Sequence, residues 1–188
     1  LPIHEVLDRL IAAVRDHPAV VLGAPPGAGK TTGVPLALLD SDIGRAGTIL
    51  VLEPRRLAAR AAAERMAELR GEPVGETVGY RTRLQSRVGP KTRIEVITEG
   101  IFTRRIIADP GLEGVAAVLF DEFHERSLDA DLGLALARQT QELLRPDLKL
   151  VVMSATLNVA SMVRVLDGPP VIEAEGRAFP VETVHLDS

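Results

Sequence analysis

Cysteine and tryptophan are absent from these 188 residues, and one tyrosine and four phenylalanines make up the whole aromatic complement. The first absence excludes disulfides, thiol nucleophiles and cysteine-ligated metals, and leaves the redox compartment open. The scarcity of aromatics leaves few flat platforms on which rings of a ligand would stack. No apolar run approaches the length of a membrane span. The opening residues read as a charged amphipathic helix and not as a signal peptide, so the expected location is the cytoplasm, with no membrane partner. Lysine is scarce too, with three residues against 19 arginines. The net charge of −4 excludes a basic field over the whole surface, so any polyanion must be gripped locally.

What is present is a chain of 46% hydrophobic residues, long enough for one α/β domain and too short for two of ordinary size. Apolar positions from Ile3 to Arg15 fall at helical spacing, and His17-Pro18 stops them. Strands are expected at Ala19–Leu22, Thr48–Glu53, Thr77–Arg83, Arg93–Thr98, Val115–Phe120 and Leu150–Met153. Helices are expected at Lys30–Leu39, from Pro54 to about Arg70, and at Gly100–Ala108, Leu132–Leu144 and Val159–Leu166. Pro169-Pro170 and Gly176–Pro180 read as an exit linker. Strands alternating with helices in this way predict βαβ units and a mainly parallel sheet with helices on both faces, with ligands at the carboxyl ends of the strands. No internal repeat or low-complexity segment interrupts the pattern.

Two segments carry chemistry. Val20 to Thr32 is an apolar strand running into P-P-G-A-G-K-T-T. Gly27 and Gly29 let the backbone curl so that amides from Gly27 through Ala28 to Thr32 converge on phosphate oxygens. Lys30 supplies a point charge for the terminal phosphates, and the Thr31 hydroxyl is placed to ligate Mg²⁺. Pro25 and Pro26 stiffen the approach to the loop and withhold their own amides. Ninety residues later, a buried run ends in D-E-F-H. There Asp121 would hold Mg²⁺ through water and Glu122 would orient and deprotonate an attacking water, with His124 as a coupling group. Ser154 and Thr156 form a hydroxyl pair after another strand. Arg55-Arg56 and Thr98-Glu99-Gly100 also follow strand ends. Taken singly, arginines here are solvated surface groups. As a set, with Arg81, Arg83, Arg87, Arg104 and Arg105 nearby in sequence, they read as a phosphate track for a single strand of nucleic acid, gripping backbone with little base readout. His4, His17 and His185 have no metal-ligand partners at sensible spacing.

These pieces, in this order, resemble the first motor domain of superfamily 2 helicases of the DEAH/RHA group: A-P-P-G-A-G-K-T-T, E-P-R-R-L-A-A-R, T-E-G, D-E-F-H-E-R and S-A-T. Ala24 stands where the strict phosphate-loop pattern has glycine, and fits the A-x-x-G-x-G-K-T form of many helicases. Phe123 replaces the group's usual alanine and, with G-Y-R-T-R and V-I-T-E-G-I-F-T-R-R, looks like the bacterial HrpB-type branch. The resemblance implies a RecA-like, three-layer domain over residues 1–176, with residues 177–188 leading to a second motor domain of the same parent chain. It implies ATP and Mg²⁺ as cofactors, handled by Lys30, Thr31, Asp121 and Glu122. Single-stranded RNA would lie along Arg55, Arg56, Thr98 and Gly100, with DNA as the alternative. Ser154 and Thr156 would couple hydrolysis to strand separation, and Arg65 would stack on the base. The Q-x-x-G-R-x-G-R arginine-finger motif does not occur in these residues. The competing reading is a nucleotide-dependent switch, or a DNA-directed translocase, on the same fold.

Overall fold

The computed structural model describes residues 1–156 and 164–175. Eight strands form one sheet: β1 (Ala19–Gly23), β2 (Thr48–Glu53), β3 (Val78–Arg81), β4 (Ser86–Arg87), β5 (Ile94–Thr98), β6 (Val115–Phe120), β7 (Lys149–Ser154) and β8 (Val171–Glu173). Their spatial order is β4-β3-β5-β2-β6-β7-β1-β8, and every pairing is parallel except β3 with β4. Among the described residues the α-helices are α1 (Leu7–Asp16), α2 (Lys30–Leu39), α3 (Asp42–Ala46), α4 (Arg56–Leu69), α5 (Glu99–Ala108) and α6 (Leu128–Leu143).

The central strands are apolar throughout because both faces of the sheet are covered, and their side chains alternate between two cores. Val20, Leu22, Ile49, Val51, Ala117 and Leu119 enter one core with Leu10, Val14, Val34, Leu38 and Met66 of α1, α2 and α4. Val21, Leu50, Leu52, Val118 and Phe120 enter the other with Phe102, Ile106, Leu134 and Ala137 of α5 and α6. The result is the expected three-layer arrangement.

Several expectations from the sequence need correction. The first helix is two pieces, a 3₁₀ turn at Pro2–Glu5 and then α1. Residues Pro54 and Arg55 precede α4; Arg55, extended at φ −126° and ψ 140°, is its N-cap. Short α3 was not legible, and it depends on a Ser41 side-chain cap that accepts from Ile43 N–H. Strand β4 was also missed, since two residues give no alternation and it exists only by pairing back onto β3. Pro169-Pro170 does not begin an exit from the fold. It leads into β8, which pairs with β1 while Pro170 carbonyl accepts from Val21 N–H. The helix expected at Val159–Leu166 falls largely on residues 157–163, outside the described residues, as do the linker at Gly176–Pro180 and His185. Among the described residues, no helix is long and apolar enough to cross a membrane.

One close approach governs how β2 and β6 begin. A Cβ on Gly47 would stand 2.4 Å from the Gly114 carbonyl oxygen, in the turn that sets these two strands side by side. Gly47→Ala is expected to destabilise the fold by about 1–3 kcal/mol, as overpacking does. An unchanged urea midpoint would show that the turn yields at no cost.

Candidate nucleotide and nucleic-acid site

The strand order arranges the motifs along one edge of the sheet. Reading along the carboxyl ends, Thr98 closes β5, Glu53 closes β2, Asp121 follows β6, Ser154 closes β7, and Gly23 leads from β1 into the phosphate loop. The D-E-F-H segment therefore lies centrally, with the E-P-R-R and T-E-G segments on one side and the phosphate loop and S-A-T on the other.

In the loop, Gly27 and Gly29 adopt φ of 76° and 92°, backbone that a β-carbon disfavours. Gly29 caps α2, whose first turn carries Lys30 and Thr31. The free amides of that turn and the positive end of the helix suit a phosphate. Ala28 departs from the expectation that its amide faces the ligand: its N–H closes a turn onto the Pro25 carbonyl at 3.2 Å. Ala24 is buried in the core, and its N–H donates to the Ser154 carbonyl at 3.0 Å, tying the loop to β7.

Thr31 and Asp121, 90 positions apart in sequence, meet directly: Thr31 Oγ1 donates to Asp121 Oδ2 at 2.7 Å. Lys30, only 3% exposed, places Nζ 3.6 Å from Glu122 Oε1. The other Glu122 oxygen lies 3.1 Å from His124 Nε2. His124 Nδ1 accepts the Ala155 N–H at 3.0 Å, which leaves the ring proton on Nε2, facing Glu122. A continuous path thus runs from the phosphate-loop lysine through Glu122 and His124 to the S-A-T segment. Among the described residues, the Ser154 hydroxyl pairs with the Thr156 backbone. Ser154 Oγ donates to the Thr156 carbonyl at 2.6 Å and accepts the Thr156 N–H at 3.2 Å, so the pair braces its own turn.

Glu122 sits in the left-handed region at φ 54°, and Arg126 follows at φ 38°. Phe123 anchors this bent turn. It is buried edge-on against Phe120 at 6.3 Å between ring centres, Phe120 is in turn edge-on to Phe102 at 5.9 Å, and the Arg126 guanidinium covers the Phe123 ring at 5.5 Å.

Glu53 was not singled out from the sequence. It is 1% exposed at the end of β2, beside Asp121. Burial, followed by the hydrogen bond and charge of Asp121 and the charge of Glu122, pushes its carboxyl up to about 11, against a smaller opposing pull from Lys30. At neutral pH and without a cation it is therefore a neutral acid. The donor set fits Mg²⁺: a hydroxyl and a carboxylate in contact, with a buried carboxyl oxygen, Glu53 Oε1, lacking any partner among the described residues.

The other expected residues divide. Arg65 pairs with Glu68 and lines a cavity of about 380 Å³ shared with Gly29, Thr32 and His4. It thus stands beside the phosphate loop, although it lies 35 positions on in sequence. Arg55 is two-thirds exposed, with Nη2 3.0 Å from Glu125 Oε1. Arg56 borders a groove of about 310 Å³ with Leu57, Arg60, Thr82, Leu84 and Gln85. Thr98 caps α5 without a side-chain hydrogen bond, and a Cβ on Gly100 would meet nothing within 4 Å. The adjacent Glu99 is buried and accepts from Ser127 Oγ at 2.5 Å, with its acid raised chiefly by that burial. Arg81 and Arg105 are not free track residues, because both pair with the buried Glu95.

Comparison with known proteins identifies the family. The family model for DEAD/DEAH box helicases matches residues 5–165. The ATP-dependent RNA helicase HrpB of Escherichia coli is 55% identical over 186 residues, covering 99% of this chain and 23% of that protein. The DExH-box ATP-dependent RNA helicase DExH3 of Arabidopsis thaliana is 38% identical over 191 residues, 16% of its length. The crystal structure of E. coli DEAH/RHA helicase HrpB superposes with a TM-score of 0.92 over 97% of this chain and 23% of that one. The chain thus spans less than a quarter of the curated relatives it matches.

Proposed function

This chain belongs to the DEAD/DEAH box helicase family, and we propose that it is the first motor lobe of an ATP-dependent RNA helicase of HrpB type. The observation that carries this is the single path from Lys30 through Glu122 and His124 to the backbone of Ala155, on a sheet edge whose other half presents arginines. A loop that merely held a nucleotide would have no use for that continuation.

The phosphates of ATP lie against the α2 N-terminus, with Lys30 opposite the terminal ones. Mg²⁺ is held by Thr31 and Asp121, and supplies positive charge where negative charge grows during hydrolysis. Glu122 takes the proton of the attacking water. Its second oxygen is held by His124, so a shift of Glu122 is felt at the S-A-T turn. Arg65 borders the base. A second RecA-like domain of the parent chain closes the site.

RNA backbone runs past β2 and β5. Helices α4 and α5 begin there without side-chain caps, so their first amides and the Arg55 and Arg56 guanidinium groups are available to phosphate oxygens. Helix α6, by contrast, is capped by Ser127, which accepts from Ala130 N–H. Arg55 is held by Glu125 in an exposed pair of the kind that contributes little to stability, so a phosphate can replace that carboxylate cheaply.

Replacing Arg55 and Arg56 together by Ala in the parent protein is expected to weaken binding of unrelated single-stranded RNAs equally. The log–log salt dependence should become shallower by about 0.7 per lost contact. ATP affinity without RNA should hold. Full RNA affinity with an unchanged salt slope would remove the track and favour a nucleotide-dependent switch. Stronger stimulation of ATP hydrolysis by DNA than by RNA would favour the DNA-directed translocase.

A further inference from the structure

We propose that Glu53 is part of the Mg²⁺ site, standing behind Asp121 as a positioning carboxyl that accepts hydrogen bonds from the waters carried by the ion. The inference rests on the nucleotide-binding reading above and adds to it a residue from the end of β2.

The placement follows from register. Leu52 pairs with Phe120, and Asp121 N–H donates to the Leu52 carbonyl at 3.0 Å, so Glu53 and Asp121 leave neighbouring parallel strands side by side. Lys30 and Glu122 are the other ionisable groups that act on Glu53. Glu53 thus stands among two other carboxyl groups and one ammonium group, in a place where Glu53 and Asp121 are 1% and 2% exposed. Acidic groups crowded in this way need a proton or a cation among them.

The orphaned oxygen narrows the choice. Buried polar atoms almost always have a partner, and an exception in a native fold calls for an ion or a water. Among the described residues Glu53 Oε1 has no hydrogen-bond partner, and the atom is shut off from solvent. Mg²⁺ keeps several of its waters when bound, and such waters donate outward. The unpartnered carboxyl oxygen of Glu53 is a matching acceptor, whereas Lys30 offers only donors. Groups that orient metal ligands from behind commonly change metal affinity about 10–100-fold when removed.

The test uses the full-length parent protein, with fluorescent ADP titrated across a Mg²⁺ series that starts in EDTA. For Glu53→Leu and Glu53→Ala, neither of which keeps an acceptor oxygen, the Mg²⁺ concentration giving half of the metal-dependent gain in affinity should rise by about 10–100-fold, while affinity in EDTA is retained. Mn²⁺ binding in the presence of ADP, followed by its spin-resonance signal, should weaken in parallel. A purely structural Glu53 would lower the melting temperature and leave the Mg²⁺ midpoint where it was, which overturns the proposal. Should Glu53→Ala fail to fold, Glu53→Leu, which fills the space without an acceptor oxygen, decides. If wild-type protein binds ADP with no dependence on Mg²⁺, the nucleotide-site reading itself is wrong and this inference falls with it. A dependence present in wild type and unchanged in Glu53→Leu rejects the role of Glu53 alone.

Discussion

Glu122→Gln in the parent protein is expected to lower the ATP hydrolysis rate by about 10²–10⁴-fold, the usual contribution of a positioned general base, while leaving nucleotide binding intact. The amide has nearly the volume of the carboxylate and still accepts from His124 Nε2 at the place where Glu122 Oε2 now lies. It cannot take a proton from water. Lys30→Ala should act differently. Lys30 is the buried cation of the phosphate loop, so its removal takes away charge that the terminal phosphates need in ground state and transition state alike. Both variants should therefore be inactive, but only Lys30→Ala should lose affinity in a fluorescent nucleotide titration. Equal loss of binding in both would mean that Glu122 grips the nucleotide and is not the base.

The second large effect concerns the chain by itself. Residues 1–188 alone should hydrolyse ATP about 10³–10⁵-fold more slowly than the RNA-bound parent, the factor that an arginine finger contributes in related phosphoryl transfer. On the proposed reading, Lys30 and Mg²⁺ would meet the terminal phosphate from one wall, formed by the carboxyl edge of this sheet. The Q-x-x-G-R-x-G-R motif that the family uses from the opposite wall is not among these residues, and the chain covers 23% of its E. coli relative. Single-turnover assays on the two proteins under saturating ATP would decide. Equal turnover would mean that this lobe holds a complete catalytic site, and the two-lobe reading would have to be abandoned.

Local pattern was enough for the parts of this protein whose physics is local. The buried strands were legible because a parallel strand covered on both faces must be apolar at every position, and Val115–Phe120 and Thr48–Glu53 are close to that. The phosphate loop was legible because its glycines, Lys30 and Thr31 act within a few residues of one another, and the backbone they require is set by their own φ angles. The D-E-F-H signature was legible for the same reason.

Pairing across the sheet was not. Glu53 reads as one more residue at a strand end until β2 and β6 are set side by side, whereupon it becomes a buried carboxyl against Asp121. Nothing in the sequence pairs Glu125 or Glu99 with a partner; the fold gives the first to Arg55 and the second to Ser127. Arg81 and Arg105 looked like members of a phosphate track, and Glu95 on the strand between them claims both. Strand β8 and the two-residue β4 have almost no signal of their own and exist because a neighbour offers unpaired backbone. The sequence by itself determined the motifs and the elements that carry them, since both depend on short-range spacing. Only the tertiary structure decided which charges meet, because an ion pair or a shared cation depends on strand order and register, and neither is written within any one segment.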